Sequence, residues 1–305
     1  MRHNTLSWVF FQRSEIPELT GYSPKRHHNC ADLSVLKKAQ VFNIEKQRTI
    51  GILETEFNHS NRTLGREGMH RALQLNAIDT EQFSRPGRSS IGQSTLKRLT
   101  MDHQMYKRQC FAQTSIDLSN NYDRIVHTAA ALACLRLGIS YNKIKAMFKT
   151  IQTMIHRVRT THGDSSGTYG GEDIGDWENY PQGILQGNAC GPTIWAILSS
   201  VIFECLHKRG FSNQFCSALS KQMFVMVGFS YVDDTDLFQI GSSPIDVLIS
   251  MQNSINSFGS LMEVTVAAIT VDKIWFYLVD YVWKKGKWVT FDPGDPFDSI
   301  ATNQD

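Results

Sequence analysis

No apolar run in this chain reaches the roughly 18 residues that a membrane-spanning helix needs. The apolar stretch near the start, Leu6 to Phe11, is too short and too polar-flanked for a secretory signal. Cysteine is sparse and scattered. The six cysteines lie at 30, 110, 134, 190, 205 and 216. None forms a C-x-x-C pair and no histidine cluster accompanies them, which leaves a zinc ribbon or finger unsupported. Internal repeats and low-complexity tracts are absent, so a solenoid is excluded. What remains is an intracellular protein, nuclear or cytoplasmic and without a membrane partner, whose cysteines are reduced core residues. Its 305 residues, 41% apolar and 20% charged, suffice for one large domain or two small ones with a buried core.

The net charge of +2 conceals an asymmetry. Residues 1–108 hold 17 of the 31 Lys and Arg against 10 of the 29 Asp and Glu, a net of +7. The remaining 197 residues therefore carry −5. A basic first third beside an acidic remainder suits a protein that grips a polyanion and also holds cations. Charge alone more often reflects ordinary variation between solvated surfaces.

Periodicity predicts a mixed chain. Residues 1–35 read as an irregular lead with Pro17 and Pro24. Gln40 to Ile44 and Thr49 to Leu53 form a β-prone pair. Leu64, Met69, Ala72 and Leu75 mark a helix, and Ser84 to Gly92 a loop. Cys110 to Ile116 reads as a strand leading to Asp117. Helices follow at His127 to Leu137, stopped by Gly138, at Ile144 to Val158, and at Pro192 to Lys208, stopped by Gly210. Met223 to Ile240 reads as two apolar strands joined at Val232-Asp233-Asp234-Thr235, Ile245 to Phe258 as a helix, and Lys273 to Trp288 as aromatic and β-prone.

Tyr231-Val232-Asp233-Asp234 is the strongest single feature. Two adjacent acids between apolar strands raise each other's pKa. A divalent cation removes that cost, and Mg²⁺ takes a few carboxylates with waters and phosphates. Taken alone, Asp-Asp also simply suits a hairpin turn. Asp117, in Ser115-Ile116-Asp117-Leu118, adds a second acid at the end of an apolar strand. Carboxylates from separate segments are what two-metal phosphoryl transfer requires. Taken alone, Asp117 also suits a helix N-cap.

Asp117 with an aromatic five residues on, then Gln186-Gly187 before a proline-led helix, then Tyr-Val-Asp-Asp, in that order, resembles the palm signature of reverse transcriptases. The likeness is strongest to enzymes of non-LTR retrotransposons and related eukaryotic retroelements. Arg48-Thr49-Ile50, Glu56-Phe57-Asn58, Leu64-Gly65-Arg66 and Glu81-Gln82-Phe83 resemble the fingers segments of that group. The resemblance spans about Leu36 to Trp288. Tyr-Val-Asp-Asp alone is weakly specific; the ordered set is strong.

The resemblance implies an α+β fold, a right-hand polymerase palm with N-terminal fingers and the thumb largely absent. It places fingers at 36–108, palm at 109–290 with a fingers-like insertion near 139–180, and a tail at 291–305. It implies RNA-directed DNA polymerase activity: addition of dNTPs to a primer 3′-OH on an RNA or DNA template with two Mg²⁺ ions, Mn²⁺ being the alternative. Asp117 and Asp233 match the metal-bridging pair, Asp234 the supporting acid, and Leu118 the residue whose carbonyl joins a metal. Tyr122 matches the steric gate against a 2′-hydroxyl, though without that context it reads equally as a core aromatic. Gln182-Gly183 competes with Gln186-Gly187, but only Gln186 has proline six residues later, as in the family. Gln186 is therefore the nucleotide contact, and Gly187 permits close approach. Lys273 matches a general acid near the pyrophosphate, Trp275 to Leu278 the strand holding the primer end, and Arg48 and then Lys38 the triphosphate or template contacts.

Some features depart from the group. Leu261 to Ala268 has no glycine where the group is glycine-rich, the loop after Phe83 is one residue short, and no endonuclease or RNase H region is seen. These departures imply a truncated or ageing element copy. The rival reading is a catalytically inactive remnant that folds and binds nucleic acid. An RNA-dependent RNA polymerase ranks lower, since those enzymes carry a small residue at the position of Tyr122 and Gly-Asp-Asp at the hairpin.

Overall fold

A computed structural model of the chain describes residues 15–36, 47–119, 121–171, 183–217, 220–264 and 268–291. In chain order the elements are β1 (Asn29–Leu36), β2 (Gln47–Leu53), α1 (Thr55–Gln74), α2 (Ser90–Lys107), β3 (Cys110–Ser119), α3 (Asn121–Arg124), α4 (His127–Arg136) and α5 (Tyr141–Gln152). Then come β4 (Ile155–Thr160), β5 (Gly163–Asp164), β6 (Tyr169–Gly170), α6 (Gly191–Lys208), β7 (Asn213–Cys216) and β8 (Met223–Met226). The chain continues through β9 (Gly228–Tyr231), β10 (Asp234–Gly241), α7 (Pro244–Val264), β11 (Ala268–Ile269), β12 (Trp275–Lys284) and β13 (Lys287–Phe291). Among the described residues no helix is long and apolar enough to cross a membrane.

The chain forms two compact units that interleave along the sequence. The first takes Met1–Ala77 and Tyr122–Leu198, the second Ile78–Asn121 and Ser199–Asp305. Ile78–Asn121 goes with the second unit, where the Glu81 and Phe83 backbone bonds to Ser230 and the Lys97–Asp236 ion pair tie it to β9 and β10.

The first unit carries a sheet in the order β2-β1-β4-β5, with β6 also on β4. β1 is antiparallel to β2 and parallel to β4. This β1 occupies the stretch that sequence patterning reads as an irregular lead. Its inward row includes Asp32, 4% exposed, and a buried acid breaks the apolar alternation that patterning looks for. Gln40 to Ile44, expected to pair with Thr49 to Leu53, lies outside the described residues. Helices α1, α4 and α5 supply Phe57, Leu64, Met69, Ala130, Met147, Phe148 and Ile151 to the core. Glu54 caps α1 by accepting from the Phe57 amide at 3.0 Å. The helix expected through Val158 ends at Gln152, and Ile155 onward is strand. The β-branched Ile155 and Val158 fit that pleated strand.

In the second unit the main sheet runs β13-β12-β3-β10-β9, with β11 beside the end of β3. All of these pairs are antiparallel. α7 lies on β10 and β3, burying Val247, Met251, Ser254, Phe258 and Met262 at helical spacing. Phe83, Phe215, Met226, Phe229 and Phe238 form an apolar cluster. α2 begins inside the loop expected at Ser84 to Gly92 and covers a stretch for which periodicity predicts no element. Its mean hydropathy is low, and its inward residues include Gln93, Thr100 and Gln104.

Glu81-Gln82-Phe83 fastens an edge of this sheet. The Ser230 amide donates to Glu81 O at 3.0 Å and the Phe83 amide to Ser230 O at 2.7 Å. The Glu81 carboxylate is buried and accepts from the Val227 and Gly228 amides at 2.9–3.0 Å. His207 Nε2 lies 2.9 Å from it. Burial pushes the Glu81 carboxyl up, and the Glu81 carboxylate holds the His207 imidazole above its ordinary range. Each shift means that the folded chain binds that group's proton more tightly than the unfolded one. The stability from His207 is full below the ordinary imidazole range and is lost as pH rises through the folded value. Urea unfolding should therefore show a lower midpoint at pH 8 than at pH 6, with a smaller difference in His207→Gln.

Candidate active site

β3 and β10 share a register in which Asp117 lies directly opposite Asp234, Ser115 opposite Asp236 and Gln113 opposite Phe238. Asp117 stands near the end of β3, two residues before its last residue, and the strand runs on past Ile116 to Ser119. β9 and β10 are joined by a two-residue turn, Val232-Asp233, because Tyr231 pairs with Asp234. Val232 has φ +56°, and Asp233 is not among the residues with positive φ. Positive φ at the first central residue only is the type II′ pattern, normally a glycine position. A β-branched residue in that region is strained by about 1–3 kcal/mol. The turn carries Asp233 next to the Asp234–Asp117 pair.

The environment at this hairpin is electrostatically uneven. Burial, then Asp233, Asp117 and Asp236 in turn, push the Asp234 carboxyl up; Lys97 pulls the other way. Asp117 forms an ion pair with Lys273 Nζ. Asp236 is 6% exposed and accepts from Lys97 Nζ at 2.6 Å, from Gln113 Nε2 at 3.2 Å and from Ser115 Oγ. Lys97 and Asp236 were missed in the sequence. Asp236 shares a strand face with Asp234 through the two-residue period, and that spacing was the available signal. Lys97 comes from α2 and gave none.

Three carboxylates at one sheet end, all hard oxygen donors with one pushed toward protonation by burial and by the others, fit a divalent cation of the Mg²⁺ class. Asp117, Asp233 and Asp234 are the residues that would hold it. Elsewhere among the described residues three groups of His, Cys, Asp and Glu bring ligand atoms within 4.8 Å of one another, and this trio is not one of them. Leu118, the residue after Asp117, is buried and pairs with Ile269 of β11.

The other sequence-predicted residues of the second unit are Lys273, seated on Asp117, and Trp275 to Leu278, which open β12. In the β12–β13 hairpin Trp283 meets Trp288 edge-on, ring centroids 5.4 Å apart. The remaining predicted residues belong to the first unit. Tyr122 is half-buried in α3, and a Cβ built on Gly191 would lie 3.4 Å from its ring. Gln186 O accepts from the Gly51 amide at 2.7 Å. Gly187 has φ +114°, and a Cβ there would lie 2.3 Å from Gly51 O. Its missing side chain thus admits β2, a backbone role that the sequence reading assigned to substrate approach. Asn58 of Glu56-Phe57-Asn58 clasps this loop, donating to Gly187 O at 3.1 Å and accepting from the Ala189 amide at 2.9 Å. Arg48 is exposed on β2, and Lys38 lies outside the described residues.

Comparison with solved structures identifies the architecture. A telomerase structure from Candida albicans, in complex with a TWJ fragment of telomeric RNA, matches at TM-score 0.54 and 12% identity, over 83% of this chain and 43% of that one. An apo telomerase from Candida tropicalis, truncated from its C-terminal domain, matches at TM-score 0.54 and 16% identity, over 84% and 51%. The Candida tropicalis enzyme with the TWJ fragment matches at 0.53 and 14%, over 90% and 44%. The fold is reverse-transcriptase-like. The chain spans about half the length of these neighbours or less. No family model matches the sequence, and no curated protein does either.

The like charges at the hairpin give a direct test. A carboxyl whose folded pKa is raised contributes stability that is full below its unfolded value and lost as pH rises through the folded one. In chelator, Asp234→Asn should melt above wild type at pH 7. The two curves should converge below the ordinary carboxylate range, where both side chains are neutral. Equal melting temperatures at pH 7 would mean that the carboxylates do not interact.

Proposed function

We propose that this chain is a reverse transcriptase domain, adding dNTPs to a primer 3′-OH under the direction of an RNA or DNA template. The observation that carries the reading is the placement of Asp117 opposite Asp234, with Asp233 in the adjoining turn, in a reverse-transcriptase-like fold. Asp117 and Asp233 are assigned to bridge two Mg²⁺ ions, Asp234 to support them, and the Leu118 carbonyl to join one. Bound there, Mg²⁺ would lower the pKa of the attacking hydroxyl and neutralise charge on the leaving phosphate. Lys273, an ammonium ion-paired with Asp117, is assigned to give a proton to the departing pyrophosphate. Tyr122 is assigned to exclude the 2′-hydroxyl, Gln186 to contact the nucleotide, and Arg48 and Lys38 to bind phosphates. The solved neighbours in complex with telomeric RNA support nucleic acid as partner. The ordered motif set supports descent from a retroelement, with fingers at 36–108 and palm at 109–290.

The second reading, a folded remnant that binds nucleic acid without catalysis, is favoured by one observation: Asp117 is already engaged by Lys273. Primer extension on an RNA template with dTTP separates the two. The enzyme reading expects extension that stops in chelator and falls at least about a hundredfold in Asp117→Asn and Asp233→Asn, with unchanged circular dichroism. Absence of extension by the folded chain, together with binding that weakens steeply with salt, selects the remnant.

A further variant tests the polymerase class. Tyr122→Ala should raise rNTP use relative to dNTP use, read as the ratio of their kcat/KM values, because the clash is removed and the metal acids are kept. An unmoved ratio would make Tyr122 a packing residue.

A further inference from the structure

Within the first unit a row of side chains across three strands collects a thiol, a carboxylate, an imidazole and a phenol, apart from the acids of the β9–β10 hairpin. Cys30 of β1 is the register partner of His156 of β4. His156 is in turn the partner of Tyr169 of β6. Asp32, two residues along β1 from Cys30, shares its face. Cys30, Asp32 and His156 are each no more than 4% exposed.

The contacts converge on one carboxylate. His156 Nδ1 lies 2.9 Å from Asp32 Oδ2, and the Tyr169 hydroxyl donates to the same oxygen. Cys30 Sγ donates to Oδ1 at 3.5 Å. The ring of Tyr169 stacks on that of His156, centroids 5.1 Å apart. Among the described residues no Lys or Arg forms an ion pair with Asp32; its ion-pair partner is His156. His156 Nε2 is buried without a hydrogen-bond partner. On β2 the register partner of Asp32 is Gly51, where a Cβ would lie 3.2 Å from Cys30 Sγ. Glycine there leaves the flank of the thiol open.

Ligand atoms of Cys30, Asp32 and His156 all lie within 4.8 Å of one another. A buried carboxylate needs compensation for its lost hydration; here polar side chains supply it, and a dication neutralised by one thiolate and one carboxylate supplies it equally. Sulfur, nitrogen and oxygen donors together suit Zn²⁺, whereas Mg²⁺ takes oxygen alone. We propose that Cys30, Asp32 and His156 form a Zn²⁺ site that ties β1 to β4. Tyr169 orients the Asp32 carboxylate by its hydrogen bond. The site is invisible to spacing rules because its ligands lie 126 residues apart in the chain.

The test uses the full chain, stripped by chelator and titrated with Co²⁺ and then Zn²⁺. One equivalent of Co²⁺ should produce a thiolate-to-metal charge-transfer band in the near ultraviolet, and Zn²⁺ should abolish it and raise the melting temperature. Cys30→Ser should lose the band, while Asp117→Asn and Asp233→Asn keep it. Tyr169→Phe should weaken Zn²⁺ binding about 10–100-fold. A second measurement needs no variant: X-ray absorption of the Zn²⁺-loaded wild type should show one sulfur at about 2.3 Å with nitrogen and oxygen at about 2.0–2.2 Å. A shell without sulfur, a band that persists in folded Cys30→Ser, or no Zn²⁺ binding would reduce the cluster to a hydrogen-bond network.

Discussion

The second unit depends on the antiparallel register of β3 with β10. It sets Asp117 across from Asp234, and a slip of one residue would turn each acid to the opposite face. The register is held from both sides. β12 pairs with β3 through Trp275 to Val279, β9 pairs with β10, and α7 covers the sheet. A strained Val232 at the turn persists because the flanking strands leave the chain no alternative.

The same sheet sorts its acids by charge partner. Asp236, deepest of the group, is matched by Lys97, and Asp117 by Lys273. Asp234 has like charges around it and Lys97 as its main relief. Removing a partner from a buried acid such as Asp236 costs about 3–5 kcal/mol, so Lys97 belongs to the stability of the sheet. The like charges around Asp234 work against folding and are offset only in part by Lys97.

Several segments that resemble polymerase motifs turn out to be braces. Glu81 takes up the amides where β8 gives way to β9, Asn58 clasps the loop at 187–189, and the bareness of Gly187 is used by the backbone of Gly51.

Patterning alone was enough for α1, α4, α6, α7 and β3, because each carries a local period, and it placed the turn between β9 and β10; it ran β8 into β9, although β8 pairs with β7 in a separate sheet. The resemblance carried by the order of Asp117, Gln186 and Tyr231 to Asp234 pointed to the reverse-transcriptase-like fold. Patterning failed where the buried side is polar. β1 hides Asp32, and α2 hides Gln93 and Gln104, so neither shows the apolar rhythm of its element. It extended α5 too far, since Ile155 and Val158 continue a helical spacing by chance. Which acid would be neutralised, which left strained, and that Cys30 would meet His156 were decided only by tertiary structure. Those outcomes rest on strand pairing between segments more than 100 residues apart, and no local period encodes such pairing.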